Sequence, residues 1–256
     1  MTAIQSSTSR WIVCRQPRSQ ARARLFCLPW AGTGASQFYA WSSLLPADVE
    51  LCAIQLPGRE NRLAEPPYTR LADLVAVLAE ELRRSLDRPF ALFGHSMGAW
   101  IAFELARQVR RQYHLLPAHL FVAGRRAPQV PSPDPPIHRL PEPQFVEELR
   151  RRYDGLPDAI LQDAEVLRIF LPILRADLAM VETFAYTAEP RLDCPISAYG
   201  GTDDPWSSPA GLAGWREQTT GAFSLRLFSG GHFFVQTARA PLIADISAAL
   251  GRSGLA

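Results

Sequence analysis

The chain has 256 residues, of which 47% are hydrophobic and 20% charged, with a formal net charge of +2. That length supports one α/β domain with an insertion, and the small net charge carries no global nucleic-acid signature. No apolar run approaches the roughly 20 residues of a membrane span, so neither nucleic acid nor membrane is an expected partner.

In chain order, the opening "MTAIQSSTSR" is polar, lacks the apolar core of a secretory signal, and is expected to be a frayed tail. Arg24 to Leu28 reads as a buried strand followed by the loop "PWAGTGAS", and Glu50 to Gln55 as a second strand followed by "LPGRENR". Leu71, Leu74, Val75, Leu78 and Leu82 recur at helical spacing and predict a helix over Leu71 to Leu86. Pro89 to Phe93 is a third strand, Met97 to about Arg110 a helix, and Leu120 to Ala123 a fourth strand. Ala127 to Pro143 is too rich in proline for regular structure. Helical stretches follow at Gln144 to Tyr153 and Leu161 to Phe184, the second broken or kinked near Pro172. Ile196 to Gly200 and Phe223 to Phe228 resume as strands, and Pro241 to Leu250 closes with a helix. Strands alternating with helices predict a mostly parallel sheet covered on both faces. Residues 1–127 and 189–256 form the core of this reading, and 128–188 a helical insertion over the loop end of the sheet.

Cys14, Cys27, Cys52 and Cys194 lie far apart with no C-x-x-C pair, so buried free thiols in a reducing cytosol are expected, not zinc or redox chemistry. Every basic side chain is arginine, which reads as compositional bias. The groups Arg59 with Arg62, Arg125-Arg126 and Arg150-Arg151-Arg152 are each expected to be solvated surface, though an acidic partner is an alternative for them.

"LFGHSMGAW" places Ser96 between Gly94 and Gly98, after a strand and before a helix. This is the nucleophile-elbow pattern, a sharp strained turn in which the flanking residues must be small because neighbouring chain segments come close. A serine nucleophile needs a base, and the base needs an orienting acid, in the chain order Ser, Asp, His. His232, in the glycine-rich "LFSGGHFFVQ" after the last strand, stands where the base belongs. His114, His119 and His138 occupy loop or insertion contexts without a motif, and His95 reads as packing that points away from the nucleophile. "SAYGGTDDPWS" supplies Asp203 and Asp204; the G-x-x-D-P spacing favours Asp204 as the acid, with Asp203 as the alternative. The oxyanion hole needs the Met97 N–H, directly after the nucleophile, and a second N–H from the loop after an early strand, for which Ala31 is chosen.

These residues resemble a known family. "LPWAGTGAS", "IQLPGRENR", "FGHSMGAWIAFELAR", "FLPILRADLAMVE", "YGGTDDPW" and "FSGGHFFV" are similar to the type II, or editing, thioesterases of polyketide and nonribosomal peptide biosynthesis, within the α/β-hydrolase superfamily. "GHSMG" fits many hydrolases, whereas "LPGRENR" and "LPILRAD" together with "GGHFF" are far more specific. The resemblance implies nucleophile Ser96, base His232, acid Asp204, oxyanion donors Met97 and Ala31, and a lid at 128–188. It also implies hydrolysis of acyl groups from the phosphopantetheine arm of acyl or peptidyl carrier proteins, with no metal or cofactor. A cytoplasmic monomer is expected. The lid residues Leu167, Phe170, Leu171, Leu174 and Met180 are divided between core packing and an acyl channel, and Trp30 and Trp206 read as packing. A general carboxylesterase, an acyltransferase and a non-catalytic binding protein of the same fold are the alternatives.

Overall fold

A computed structural model describes residues 9–152 and 164–255. The first eight residues of the expected frayed tail, Tyr153 at the end of the first insertion helix and the start of the second predicted one, Leu161 to Asp163, lie outside the described residues.

Seven strands form one sheet in the order β1-β3-β2-β4-β5-β6-β7. They are β1 Ile12–Val13, β2 Ala23–Leu28, β3 Val49–Ile54, β4 Phe90–His95, β5 His119–Ala123, β6 Ile196–Gly201 and β7 Phe223–Phe228. All neighbouring pairs are parallel except β1 with β3. The sequence reading missed β1; two residues are too few for an alternating pattern to register. Among the described residues the α-helices are α1 Leu71–Leu82, α2 Met97–Tyr113, α3 Glu142–Arg152, α4 Ala164–Glu182, α5 Pro209–Ala213, α6 Phe234–Thr237 and α7 Arg239–Arg252. With parallel strands covered on both faces, this is the α/β-hydrolase fold.

Successive strand residues point to opposite faces, and the core divides accordingly. Phe26, Leu28, Leu92, Leu120 and Val122 join α1 and α2 on one side. Leu25, Cys27, Phe93, Phe121 and Ala123 join α7 and the aromatic pair Phe38 and Trp41 on the other. A third cluster of Ile137, Phe145, Leu149, Leu171, Leu174 and Leu178 belongs to the insertion itself. Met180 departs from that group and lies in the first core, so α4 is rooted in the main domain at its C-terminal end.

Helix α3 begins at Glu142, with Pro143 in its first turn, where the missing N–H costs nothing. Helix α4 is continuous through Pro172, so of the expected break or kink there is no break. Further corrections concern charge. Arg59, Arg62, Arg126 and Arg152 are buried, not solvated. Arg62 bonds Glu65 and the Gln55 carbonyl and lies 4.0 Å over the Trp11 ring. Arg152 bonds Glu148 and the Pro135 carbonyl, which separates it from its exposed neighbours. His119 is no loop residue: it begins β5, stacks on Phe121 with centroids 4.2 Å apart, and bonds the Ser197 hydroxyl at 2.8 Å.

Candidate active site

Strand β4 ends at His95 and α2 starts at Met97, so Ser96 alone makes the turn, with φ 53° and ψ −114°. A positive φ in a non-glycine residue is costly and persists only where the surroundings enforce it. The Ser96 N–H is tied to the Ala123 carbonyl at 2.8 Å. The flanking glycines are required by space: a Cβ on Gly94 would lie 2.0 Å from the Gly98 oxygen, and one on Gly98 would lie 2.3 Å from the Leu28 oxygen. The Ser96 side chain thereby stands at the carboxyl end of the central strand, above the first turn of α2.

His232 follows β7, and Asp204 follows β6. They meet across 28 residues of sequence: His232 Nδ1 and Asp204 Oδ2 are 2.9 Å apart. Asp204 is buried, and its other oxygen accepts the Trp206 N–H at 2.9 Å, while Ser207 donates its hydroxyl to Oδ2. Burial works to raise the Asp204 carboxyl. The hydrogen bonds from His232, Ser207 and Trp206 outweigh it and hold the group below its ordinary value. Asp203 does not reach the imidazole; it is exposed and accepts from its neighbour Thr202. The neighbouring Ser207 is a residue the sequence reading passed over, and its only signal was a serine three positions after a candidate acid.

His95 is packing, as expected, but against His232. Its ring centroid is 4.9 Å from that of His232, and it meets Trp30 edge-on at 5.3 Å. Neither ring nitrogen has a hydrogen-bond partner among the described residues. Burial first, and His232 second, push its pKa well below the ordinary value, so it is a neutral ring.

Two cavities meet at Ser96 and His232. The larger, of about 670 Å³, is bordered by Trp30, Ala31, Gly32, Phe170, Leu174 and Phe233, among others. The smaller, of about 40 Å³, is bordered by Arg125, Arg126, Arg152, Asp134, Glu182 and Trp206. Trp30 and Trp206 therefore face the cavities and do more than fill the core. Ala31 borders the same cavity as Ser96, and its N–H makes no hydrogen bond among the described residues. Met97, first in its helix, has no intrahelical acceptor for its N–H.

The sequence separated Cys14 from Cys52, but antiparallel pairing of β1 with β3 brings their sulfurs to 3.1 Å. With Glu50 they are a donor set of the kind that holds a metal, its atoms within 4.8 Å of one another. Glu50 is already engaged by the Arg24 guanidinium at 2.8 Å and the Arg18 N–H at 3.0 Å. Among the described helices none is long and apolar enough to cross a membrane.

A strained serine at the end of a central parallel strand, beside an Asp–His pair, defines the class as α/β-hydrolases. The thioesterase domain family model matches residues 23–250. The chain is 46% identical over 243 residues to the gramicidin S biosynthesis protein GrsT of Aneurinibacillus migulanus, covering 95% of this chain and 94% of that protein. It is 39% identical to the thioesterase PikA5 of Streptomyces venezuelae, over 93% of this chain and 84% of that protein. Among solved structures it matches the type II thioesterase BorB of the borrelidin biosynthetic cluster with a TM-score of 0.85 and 37% identity, over 94% and 97% of the two chains. This chain belongs to the thioesterase family, hydrolases that act on thioesters.

Proposed function

We propose that this thioesterase is an editing enzyme of polyketide or nonribosomal peptide biosynthesis, removing stalled acyl groups from the phosphopantetheine arms of acyl or peptidyl carrier proteins. The observation that carries this reading is the large, mostly apolar cavity that opens on Ser96 and His232. The larger, faced by aromatic and aliphatic side chains of α4, suits an acyl chain. The smaller, bordered by Arg125, Arg126 and Arg152 with Asp134 and Glu182, is a polar recess beside Ser96 with room for little more than a water. Residues 128–188 act as a lid, since Leu149 of α3 and Ile169, Phe170, Ile173, Leu174 and Leu178 of α4 border the acyl cavity. The relatives' roles in gramicidin and borrelidin biosynthesis support the substrate class.

The reaction proceeds in two halves. His232 Nε2 takes the Ser96 proton as Oγ attacks the thioester carbonyl carbon. The oxyanion is held by the Met97 and Ala31 N–H groups. The C–S bond breaks, and the thiol leaves with the proton from His232. A water, deprotonated by His232, then attacks the acyl-serine carbonyl; Ser96 recovers its proton and a free carboxylic acid departs. Asp204 holds the tautomer in which Nδ1 carries hydrogen and Nε2 accepts. No step is assigned to a metal or cofactor, and the enzyme acts as a cytoplasmic monomer.

The test is intact-protein mass spectrometry of a panel of acyl-loaded carrier proteins incubated with the wild type and with Ser96→Ala. Loss of the acyl mass with wild type, slowed at least about 10³-fold by Ser96→Ala, supports the reading. Turnover of simple oxygen esters in preference to every carrier thioester rejects it in favour of a general esterase.

A further inference from the structure

"LPGRENR" and "LPILRAD" distinguish this chain from hydrolases at large, yet no catalytic step above uses them. The fold brings them into contact. Arg59 and Asp177, 118 residues apart, form a two-pronged ion pair: Nη1 to Oδ2 at 2.6 Å and Nη2 to Oδ1 at 2.9 Å. Asp177 is completely buried and Arg59 is 4% exposed. Such a pair is weak evidence for stability, because desolvation cancels much of the attraction, so stability alone does not account for it.

A further role lies one residue from the oxyanion donor. Asp177 Oδ2 also accepts the Gly32 N–H at 2.8 Å. On the other side of Ala31, the Trp30 carbonyl accepts the N–H of Thr33 at 3.2 Å and its hydroxyl at 2.8 Å. A trans peptide points its C=O and N–H in opposite directions. Anchoring the Trp30 carbonyl thus sets the direction of the Ala31 N–H, and anchoring the Gly32 N–H sets the next peptide plane. The loop is held further on as well: the Gln55 side chain accepts from the Ala35 N–H at 3.0 Å, and Glu60 from the Ser36 N–H at 3.2 Å. Gly32 has φ +77°, and a Cβ there would lie 2.7 Å from Leu174 Cδ2 and 3.3 Å from Phe170 Cε1. Phe170, Leu174 and Asp177 share one face of α4, at spacings of four and three.

We infer that Asp177, held by Arg59, is a positioning residue: it presents the Ala31 N–H to the reacting carbonyl and makes assembly of the oxyanion hole depend on the seating of helix α4. The inference rests on the assignment of Ser96, Met97 and Ala31 proposed above. Asp177 sits near the end of α4 that is rooted in the main domain, so the acceptor of the Gly32 N–H is present only when this turn of α4 is seated against the loop.

Two paired replacements test it without stranding a buried charge: Arg59→Met with Asp177→Leu, and Arg59→Met with Asp177→Asn. Only the second leaves an acceptor for Gly32. The readouts are kcat and KM on an acyl-N-acetylcysteamine thioester, the inhibition constant of an alkylboronic acid that adds to Ser96 as a tetrahedral anion, and thermal unfolding. For the Leu pair we expect kcat to fall about 100-fold, near the loss that follows removal of one oxyanion donor. Boronate affinity should fall in parallel while KM moves less than about threefold and the protein stays folded. The Asn pair should recover at least about tenfold of the lost kcat. Equal kcat in the two pairs, or wild-type kcat in the Leu pair, overturns the inference. Should the Leu pair not fold, the Asn pair decides alone: kcat within about tenfold of wild type supports the inference, and a loss of about 100-fold overturns it. Ser96→Ala is measured alongside. If it retains turnover, the underlying assignment of the nucleophile has failed, which is a different result from an inactive Ser96→Ala with undisturbed pairs.

Discussion

His95 and His232 lie ring beside ring, their centroids 4.9 Å apart and their planes at 45°. One imidazole is presented to the cavities and bonded to Asp204; the other is sealed in, held neutral by burial and by its neighbour. A second buried imidazole, His119, is pushed down to about 4, chiefly by burial and then by Arg252. Both folded-state values lie below the unfolded 6.5, so the unfolded chain binds more protons between them. The stability due to these rings is present above 6.5 and lost as pH falls towards the folded values. For His119 that loss reaches about 3 kcal/mol by pH 4. Urea unfolding at pH 7 and pH 4 should show it, and His119→Gln should show a smaller drop than wild type.

Asp204 and Asp203 are adjacent in sequence but differ in what they touch. Only Asp204 meets the imidazole. Asp204→Asn keeps the shape and reverses the hydrogen-bond preference, so kcat should fall by about 10⁴, the scale of a lost tautomer. Asp203→Asn should stay within about threefold of wild type. Steady-state hydrolysis of one thioester by both variants decides between them; equal losses would mean that both carboxylates serve the base.

The crossing of β4 and α2 leaves no room for a methyl group. A Cβ on Gly98 would lie 2.3 Å from the backbone oxygen of Leu28, the last residue of β2, which cannot swing aside as a flexible side chain does. Gly98→Ala should therefore cost more than about 4 kcal/mol, in the range reserved for core disruption. Calorimetry should record a fall in Tm of at least about 8 °C, with loss of activity because the same shift displaces Ser96.

Thiol reactivity should follow environment. Cys14 is half-buried and its thiol is lowered by the hydrogen bond with Cys52, whereas Cys27 is buried and pushed well up. The thiolate is the reacting form. Iodoacetamide at pH 8 should label Cys14 first and Cys27 last among the four. Peptide mass spectrometry over a time course reads the order, and early labelling of Cys27 would contradict it.

The regular elements were legible because their patterns are local. Leu71, Leu74, Val75, Leu78 and Leu82 all fall on the buried face of α1, and the glycines about Ser96 announce a turn that sterics then requires. The arginines mislead for a matching reason. Arg59, Arg62, Arg126 and Arg152 look like charged surface in any local window, and only distant groups such as Asp177, the Trp11 ring or the Pro135 carbonyl make their burial tolerable. His119 is not legible as a strand residue because a histidine opening a strand carries no periodic signal of its own.

What the sequence by itself determined is the alternation of strands and helices, the elbow at Ser96, and the order of serine, aspartate and histidine along the chain. These follow from side-chain periodicity and backbone sterics, which act over a few residues. The tertiary structure decided which of two neighbouring aspartates meets His232, that His95 flanks His232, that Cys14 lies against Cys52, and that the two motifs around Arg59 and Asp177 are halves of one buried pair. Each of these is a contact between groups distant in the chain, fixed by strand order and by the seating of α4. A carboxylate or guanidinium has its effect only where the fold removes water and supplies a partner.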